Sequence, residues 1–224
     1  MSGFQRYAVY HLPDDAALAA FGASWLGWDV ATGTTCGQPP IDGIDELTAT
    51  PRKYGFHGTL KPPFRLAVGM TAENLGNQVA ALAARTAAIR LDSIQLATLS
   101  RFLALVPAGD VTALDRLAFK CVTELDAYRA PPTEGEMQKR RTAGLTLRQE
   151  AHLSQWGYPY VGDEFRFHLT LTGKLDEPEL ARMGDAVAAI LPALPRPFEI
   201  GSISLVGEGK DGEFKQIHRY ALTG

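Results

Sequence analysis

Short apolar runs of strand length alternate along this chain with longer stretches of helical periodicity. Residues 6–12 (RYAVYHL) read as a strand. A helix follows from about 14 to 26, where Asp14 or Asp15 can cap it and Gly27 can end it. Residues 31–53 are rich in Gly, Thr, Pro and Asp and read as a long surface loop. A strand is expected over 54–60, stopped by Pro62-Pro63. Helical periodicity covers about 71–89, with Thr71 as cap, and two strands come next, near 93–99 and 102–107.

The second half repeats this order. A helix is expected over about 111–128, and the charged segment 133–156 reads as one or two more. Residues 165–172 form a strand, 177–191 a helix entered through Pro178, and 198–206 and 215–222 two closing strands. After each of the strands at 54–60 and 165–172 the order is helix, strand, strand. The pattern reads as one unit duplicated and diverged, although the repeat is too short for a solenoid. The fold class expected is α+β: two pseudo-symmetric lobes, each a small antiparallel sheet with helices on one side, facing each other across a central cleft. The domain reading is one bilobal domain over 1–224, with motif units at about 54–107 and 165–222 and a charged helical insertion at about 131–156.

The strand that opens each unit carries the same tetrapeptide: His57-Gly58-Thr59-Leu60 and His168-Leu169-Thr170-Leu171. Residues two apart on a strand share a face, so each copy presents an imidazole beside a hydroxyl. Two such pairs suit a phosphodiester. Histidine titrates near neutrality, so His57 and His168 can serve as acid and base in opposite protonation states. The hydroxyls of Thr59 and Thr170 can donate to the non-bridging oxygens. Histidines packed in sheets beside strand-forming threonines would explain one copy, but less readily two.

Alternation extends the site. Lys61 falls on the His57/Thr59 face if the strand persists that far, and Arg166 on the face of His168 and Thr170. Each copy would then bring a cation to an anionic substrate. Lys139, Arg140, Arg141 and Arg148 cluster near the second motif. They could hold a second phosphate, or equally form a solvated helix face paired with Glu134, Glu136 and Glu150. Tyr54, Tyr158 and Tyr160 are candidates to stack on a sugar or base, although packing is the commoner fate of such rings.

Composition narrows the substrate. The 224 residues carry a net charge of −3, 46% are hydrophobic and 21% charged. That balance argues against holding long nucleic acid through bulk electrostatics, while leaving room for a small phosphorylated substrate held by a local cluster. Cys36 and Cys121 have neither metal-ligand spacing nor a disulfide framework, so a reducing cytoplasm is expected. No run reads as a signal peptide or membrane span. No metal or cofactor is expected: His11, His152 and His218 lack a Thr two residues on, and no H-E-x-x-H spacing occurs. Residues 207–212 fit G-x-G-x-x-G, but a strand follows where the dinucleotide motif needs a helix, so a hairpin loop explains them better. Oligomeric state is not readable.

Two His-x-Thr-x motifs 111 residues apart in duplicated α/β units resemble the 2H phosphoesterase superfamily, which includes 2′-5′ RNA ligase-like proteins and cyclic nucleotide phosphodiesterases. The resemblance implies metal-independent catalysis, with His57 and His168 as the acid/base pair and Thr59 and Thr170 binding phosphate. The flanking strings RKYGFHGTLKPPFR (52–65), WGYPYV (156–161) and FRFHLTLTG (165–173) look like the uncharacterised branch of that superfamily encoded beside carbon–phosphorus lyase genes. That likeness implies a hydrolase acting on a cyclic phosphate from phosphonate breakdown, for example a phosphoribosyl cyclic phosphate. The charged 131–156 segment is a departure from smaller members. Two other readings remain: a non-catalytic nucleotide- or phosphate-binding module, and RNA 2′,3′-cyclic-end processing or 2′-5′ ligase-like activity.

Overall fold

The computed structural model describes residues 3–224. Its strands are β1 (Tyr7–His11), β2 (Trp28–Asp29), β3 (Thr34–Thr35), β4 (Gly58–Phe64), β5 (Ile89–Leu91), β6 (Ser93–Leu99), β7 (Phe102–Ala108), β8 (Leu169–Thr170), β9 (Phe198–Ile200), β10 (Ser202–Glu208) and β11 (Phe214–Ala221). The helices are α1 (Ala16–Leu26), α2 (Ile44–Arg52), α3 (Ala72–Ala84), α4 (Thr112–Glu124), α5 (Glu134–Arg141), α6 (Leu147–Trp156) and α7 (Glu177–Ile190).

The fold is α+β, built on one antiparallel seven-stranded sheet in the order β11-β10-β1-β4-β8-β7-β6. Its two halves meet where the motif strands β4 and β8 pair, at Gly58 and Leu169. The units are intertwined rather than side by side. The closing hairpin of the first unit, β6–β7, pairs with the second motif strand. The closing hairpin of the second unit, β10–β11, pairs with β1, which in turn lies beside the first motif strand. Equivalent strands of the two units also pair with each other antiparallel: β4 with β8, and β5 with β9.

Alternation decides which face each residue covers. Val9, Leu60, Leu105, Leu169, Leu171, Ile203 and Leu205 join one core with Leu18 and Trp25 of α1, Leu75 and Val79 of α3, Leu117 and Cys121 of α4, and Met183 and Val187 of α7. This core runs beneath both halves of the sheet. Ala8, Tyr10 and Leu12 join a smaller cluster with Trp28, Val30, Val206 and Phe214.

Local chemistry sets the helix ends. Asp15 caps α1 through a 2.8 Å bond from the Leu18 amide, and Gly27 closes it at φ 79°. Thr133 with Glu136 and Thr146 with Gln149 form capping boxes that start α5 and α6. No residue of α5 is buried. Capping and ion pairs, rather than core packing, hold that helix.

Three elements depart from expectation. Part of the expected loop 31–53 is helix: Asp45 and Glu46 lie in the first turn of α2 and Arg52 in its last, favourable ends for the helix dipole. The first motif strand begins at Gly58 and runs through Pro62-Pro63 to Phe64. The register with β1 shifts on both sides of Val9, and the prolines sit in the second irregularity. There β8 has already ended, so no ladder bond is lost to the missing amide protons. The second motif strand is cut to Leu169–Thr170. Among the described residues no helix is long and apolar enough to cross a membrane.

Candidate functional site

The pairing of Gly58 with Leu169 assembles the site. Carrying that antiparallel register one residue either way sets His57 opposite Thr170 and Thr59 opposite His168. The four motif side chains therefore form a square on one face of the sheet, and Gly58, Phe167 and Leu169 point the other way. Glycine at position 58 makes room for this junction: a Cβ there would stand 2.2 Å from the Phe167 ring, which would have to move. All four motif residues are half-buried, reachable from solvent yet walled by protein.

Each imidazole is tied by the carbonyl two residues before it. His57 Nδ1 donates to the Gly55 carbonyl at 2.8 Å, and His168 Nδ1 to the Arg166 carbonyl at 2.7 Å. A carbonyl only accepts, so in the neutral rings Nδ1 carries the proton and Nε2 carries the lone pair. His57 Nε2 accepts from the Thr59 hydroxyl at 3.0 Å. Gly55 reaches this geometry at φ 71°, where a side chain would be strained and a Cβ would strike Val30. Burial pushes the His57 imidazole down to about 4, opposed by the Gly55 carbonyl and reinforced by charge on His168. Burial also lowers His168 below its ordinary value. Burial thus disfavours the charged form of both rings in the free protein.

Two cavities lie near the motif residues, the first touching Thr59 and His168 and the second none of the four. One, of about 590 Å³, is lined by Thr59 and His168 together with Phe102, Phe119, Tyr158 and Phe165. The Phe102 ring lies 5.6 Å from that of His168. The other, of about 410 Å³, lies on the His57 side: Tyr54, whose ring is 6.2 Å from that imidazole, lines it with Arg6, Arg65, Arg129, Lys139 and Arg140. Tyr160 borders both.

The residues singled out from the sequence are distributed unevenly around this centre. Tyr54 and Tyr158 each line a cavity wall, and Arg140 stacks on Tyr158 with 4.6 Å from guanidinium to ring. Arg166 lines the aromatic cavity, its guanidinium held by the Asp163 and Phe165 carbonyls. Three expected phosphate ligands lie elsewhere. The register shift at Val9 turns Lys61 off the His57/Thr59 face and into the core, where Nζ donates 2.9 Å to the Val122 carbonyl. That carbonyl lies in the last turn of α4, so Lys61 caps a helix; burial lowers its ammonium to about 8. Arg141 is taken up by Glu150, with Glu134 nearby, and Arg148 by Asp163; neither lines a cavity.

Sequence reasoning passed over Tyr10. Its ring is fully buried and stacks on His57, and its position pairs with Thr59 across β1 and β4. Strand alternation in residues 6–12 could have placed Tyr10 on one face, but nothing in the sequence says which strand lies alongside. Among the described residues no three of His, Cys, Asp and Glu are grouped as metal ligands.

Comparison with known proteins gives the chain a family. The family described as "Protein of unknown function (DUF1045)" matches residues 59–215, a span holding Thr59, His168 and Thr170. The chain belongs to that family. Two relatives are named ribose 1,5-bisphosphate phosphokinase PhnN. One, from Janthinobacterium sp. (strain Marseille), is 47% identical over 176 residues, covering 76% of this chain and 39% of that protein. The other, from Laribacter hongkongensis (strain HLHK9), is 35% identical over 199 residues, covering 87% of this chain and 46% of that protein. The DUF1045 chain thus spans less than half the length of these relatives. Solved structures similar to it include LigT of E. coli complexed with 3′-AMP (16% identity, TM-score 0.43, covering 99% of this chain and all of that one) and TT0787 of Thermus thermophilus (15%, 0.45, 98% of each).

Proposed function

We propose that this chain is a metal-independent phosphodiesterase of the 2H type that hydrolyses a small cyclic phosphodiester in the cytoplasm. One observation carries the reading: His57, Thr59, His168 and Thr170 face the same way across the register of Gly58 with Leu169. A phosphodiester seated over the square has an imidazole on either side and a hydroxyl beside each. One imidazole takes a proton from water as the water oxygen bonds to phosphorus. The other, protonated, gives its proton to the ester oxygen as that bond to phosphorus breaks. The product is a phosphate monoester with a free hydroxyl, and the two rings have exchanged protonation states. The threonine hydroxyls donate to the non-bridging oxygens as charge builds there. Burial disfavours the charged form of both rings, and a bound anion favours uptake of the proton that the acid must carry.

The kinase named in the relatives fits elsewhere. A nucleotide-phosphate loop of the form G-x-x-x-x-G-K-[ST] does not occur in this chain. We assign the phosphokinase to the remainder of those longer proteins. Opening a phosphoribosyl cyclic phosphate yields a ribose bisphosphate, the kind of compound their name mentions, which accords with a place in phosphonate breakdown.

A panel of cyclic phosphates followed by phosphorus NMR tests the proposal. Ring opening of a ribosyl cyclic phosphate that persists in chelator is the expected result. Binding without product across the panel would point instead to a non-catalytic phosphate-binding module, and turnover confined to oligonucleotides with 2′,3′-cyclic ends to RNA processing.

A further inference from the structure

The cavity on the His57 side has an electrostatic character at odds with the chain as a whole. The protein carries a net −3, yet Arg6, Arg65, Arg129, Lys139 and Arg140 converge on one pocket of about 410 Å³. Three of these cations are already matched: Arg6 by Glu208, Arg65 by Glu136 and Arg129 by Asp126. Among the described residues Lys139 and Arg140 have no carboxylate partner. Two positive charges are left over, set among three neutralised ones, where a terminal phosphate monoester of nearly two negative charges would balance them.

The helix carrying the two free cations has no other evident task. None of the α5 residues is buried, and ion pairs to Arg65 and between Arg141 and Glu150 fasten it over the end of β4. Arg140 is held in place by stacking on Tyr158, a wall of the neighbouring cavity, which leaves its planar donors to a ligand. Tyr54 connects the pocket to the His57 ring, 6.2 Å away.

We infer that this pocket is a second anion subsite, in which Arg140 and Lys139 take a terminal phosphate monoester on the same small molecule whose cyclic ester lies between His57 and His168. The inference rests on the phosphodiesterase reading and narrows its substrate to a cyclic phosphate bearing a second phosphate.

The test compares two ribosyl cyclic phosphates that differ only in a 5-phosphate. For the wild-type protein kcat/KM is expected to favour the phosphorylated ester by about 10- to 100-fold, the range of charge-assisted hydrogen bonds. In the K139Q/R140Q double variant that ratio is expected to fall to within about threefold of one, and Arg140→Lys alone to retain part of it. No preference in the wild-type protein, or a double variant that slows both esters alike, would overturn the inference. So would a cyclic-ended oligonucleotide that outcompetes both. Calorimetry with ribose 5-phosphate separates the two readings. If the wild-type protein opens neither ester, the phosphodiesterase reading fails. The subsite still stands if ribose 5-phosphate binds at least tenfold more tightly to wild type than to the double variant, and falls if the two bind alike.

Discussion

The Tyr10 ring lies flat on the His57 imidazole, 3.7 Å between centroids and 22° between planes. With Nδ1 anchored on Gly55, the stack leaves the ring no rotation that keeps both contacts. Tyr10 is thereby a positioning residue for the proposed base or acid. Tyr10→Leu is expected to lower kcat about tenfold with little change in KM, and to move the His57 limb of the pH profile as water reaches the ring. Tyr10→Phe keeps the stack and should keep both. A Phe variant as impaired as the Leu variant would contradict the positioning role.

Gly58 makes the junction of the two motif strands possible, since the Phe167 ring occupies the space of a side chain there. Gly58→Ala should destabilise the protein by about 1–3 kcal/mol through overpacking. Combining it with Phe167→Leu should cost less than the sum of the two single changes. Urea midpoints of the three variants measure this; strict additivity would mean that the residues do not press on one another.

The acid side of the pH profile follows from burial. His57 and His11 are both lowered to about 4, chiefly by burial, and His168 is lowered as well. Their unfolded values lie near 6.5. Between these values the unfolded chain binds protons that the folded chain does not, so stability is full above about pH 6.5 and is lost as pH falls toward 4. Urea midpoints should drop steadily from pH 6.5 to 5, before the carboxylates titrate, and His11→Gln should flatten the slope. A midpoint constant over that window would refute the shifts. The same lowering places the kcat/KM optimum for a cyclic diester on the acid side of pH 6.5, because that parameter reports the free enzyme. An optimum above pH 7.5 would count against two buried histidines acting as the pair.

Much of this was legible in the residues. The duplicated tetrapeptide names the square, and the helix-strand-strand order after each copy marks the two units. What the pattern could not carry was the non-local pairing. Which hairpin lies beside which motif strand depends on contacts between residues 64 to 200 positions apart, and local periodicity does not reveal that the two units exchange hairpins. Lys61 failed for a related reason: strict alternation puts it with Thr59, but the shift opposite Val9 inserts an extra residue and reverses the face. Arg141 and Arg148 show that a cluster of cations in sequence need not act together, since acids on α6 and at Asp163 take those two and leave Arg140 and Lys139 at the pocket. The helix α2 hid in a segment whose Gly, Thr and Pro content suggests loop.

The most direct test compares hydrolysis of a ribosyl cyclic phosphate by wild type, His57→Ala and His168→Ala, read by phosphorus NMR with circular dichroism to monitor the fold. Removing either histidine is expected to cost about 10²–10⁴-fold in turnover while the spectrum stays that of the wild type. Full turnover in either variant would contradict the account.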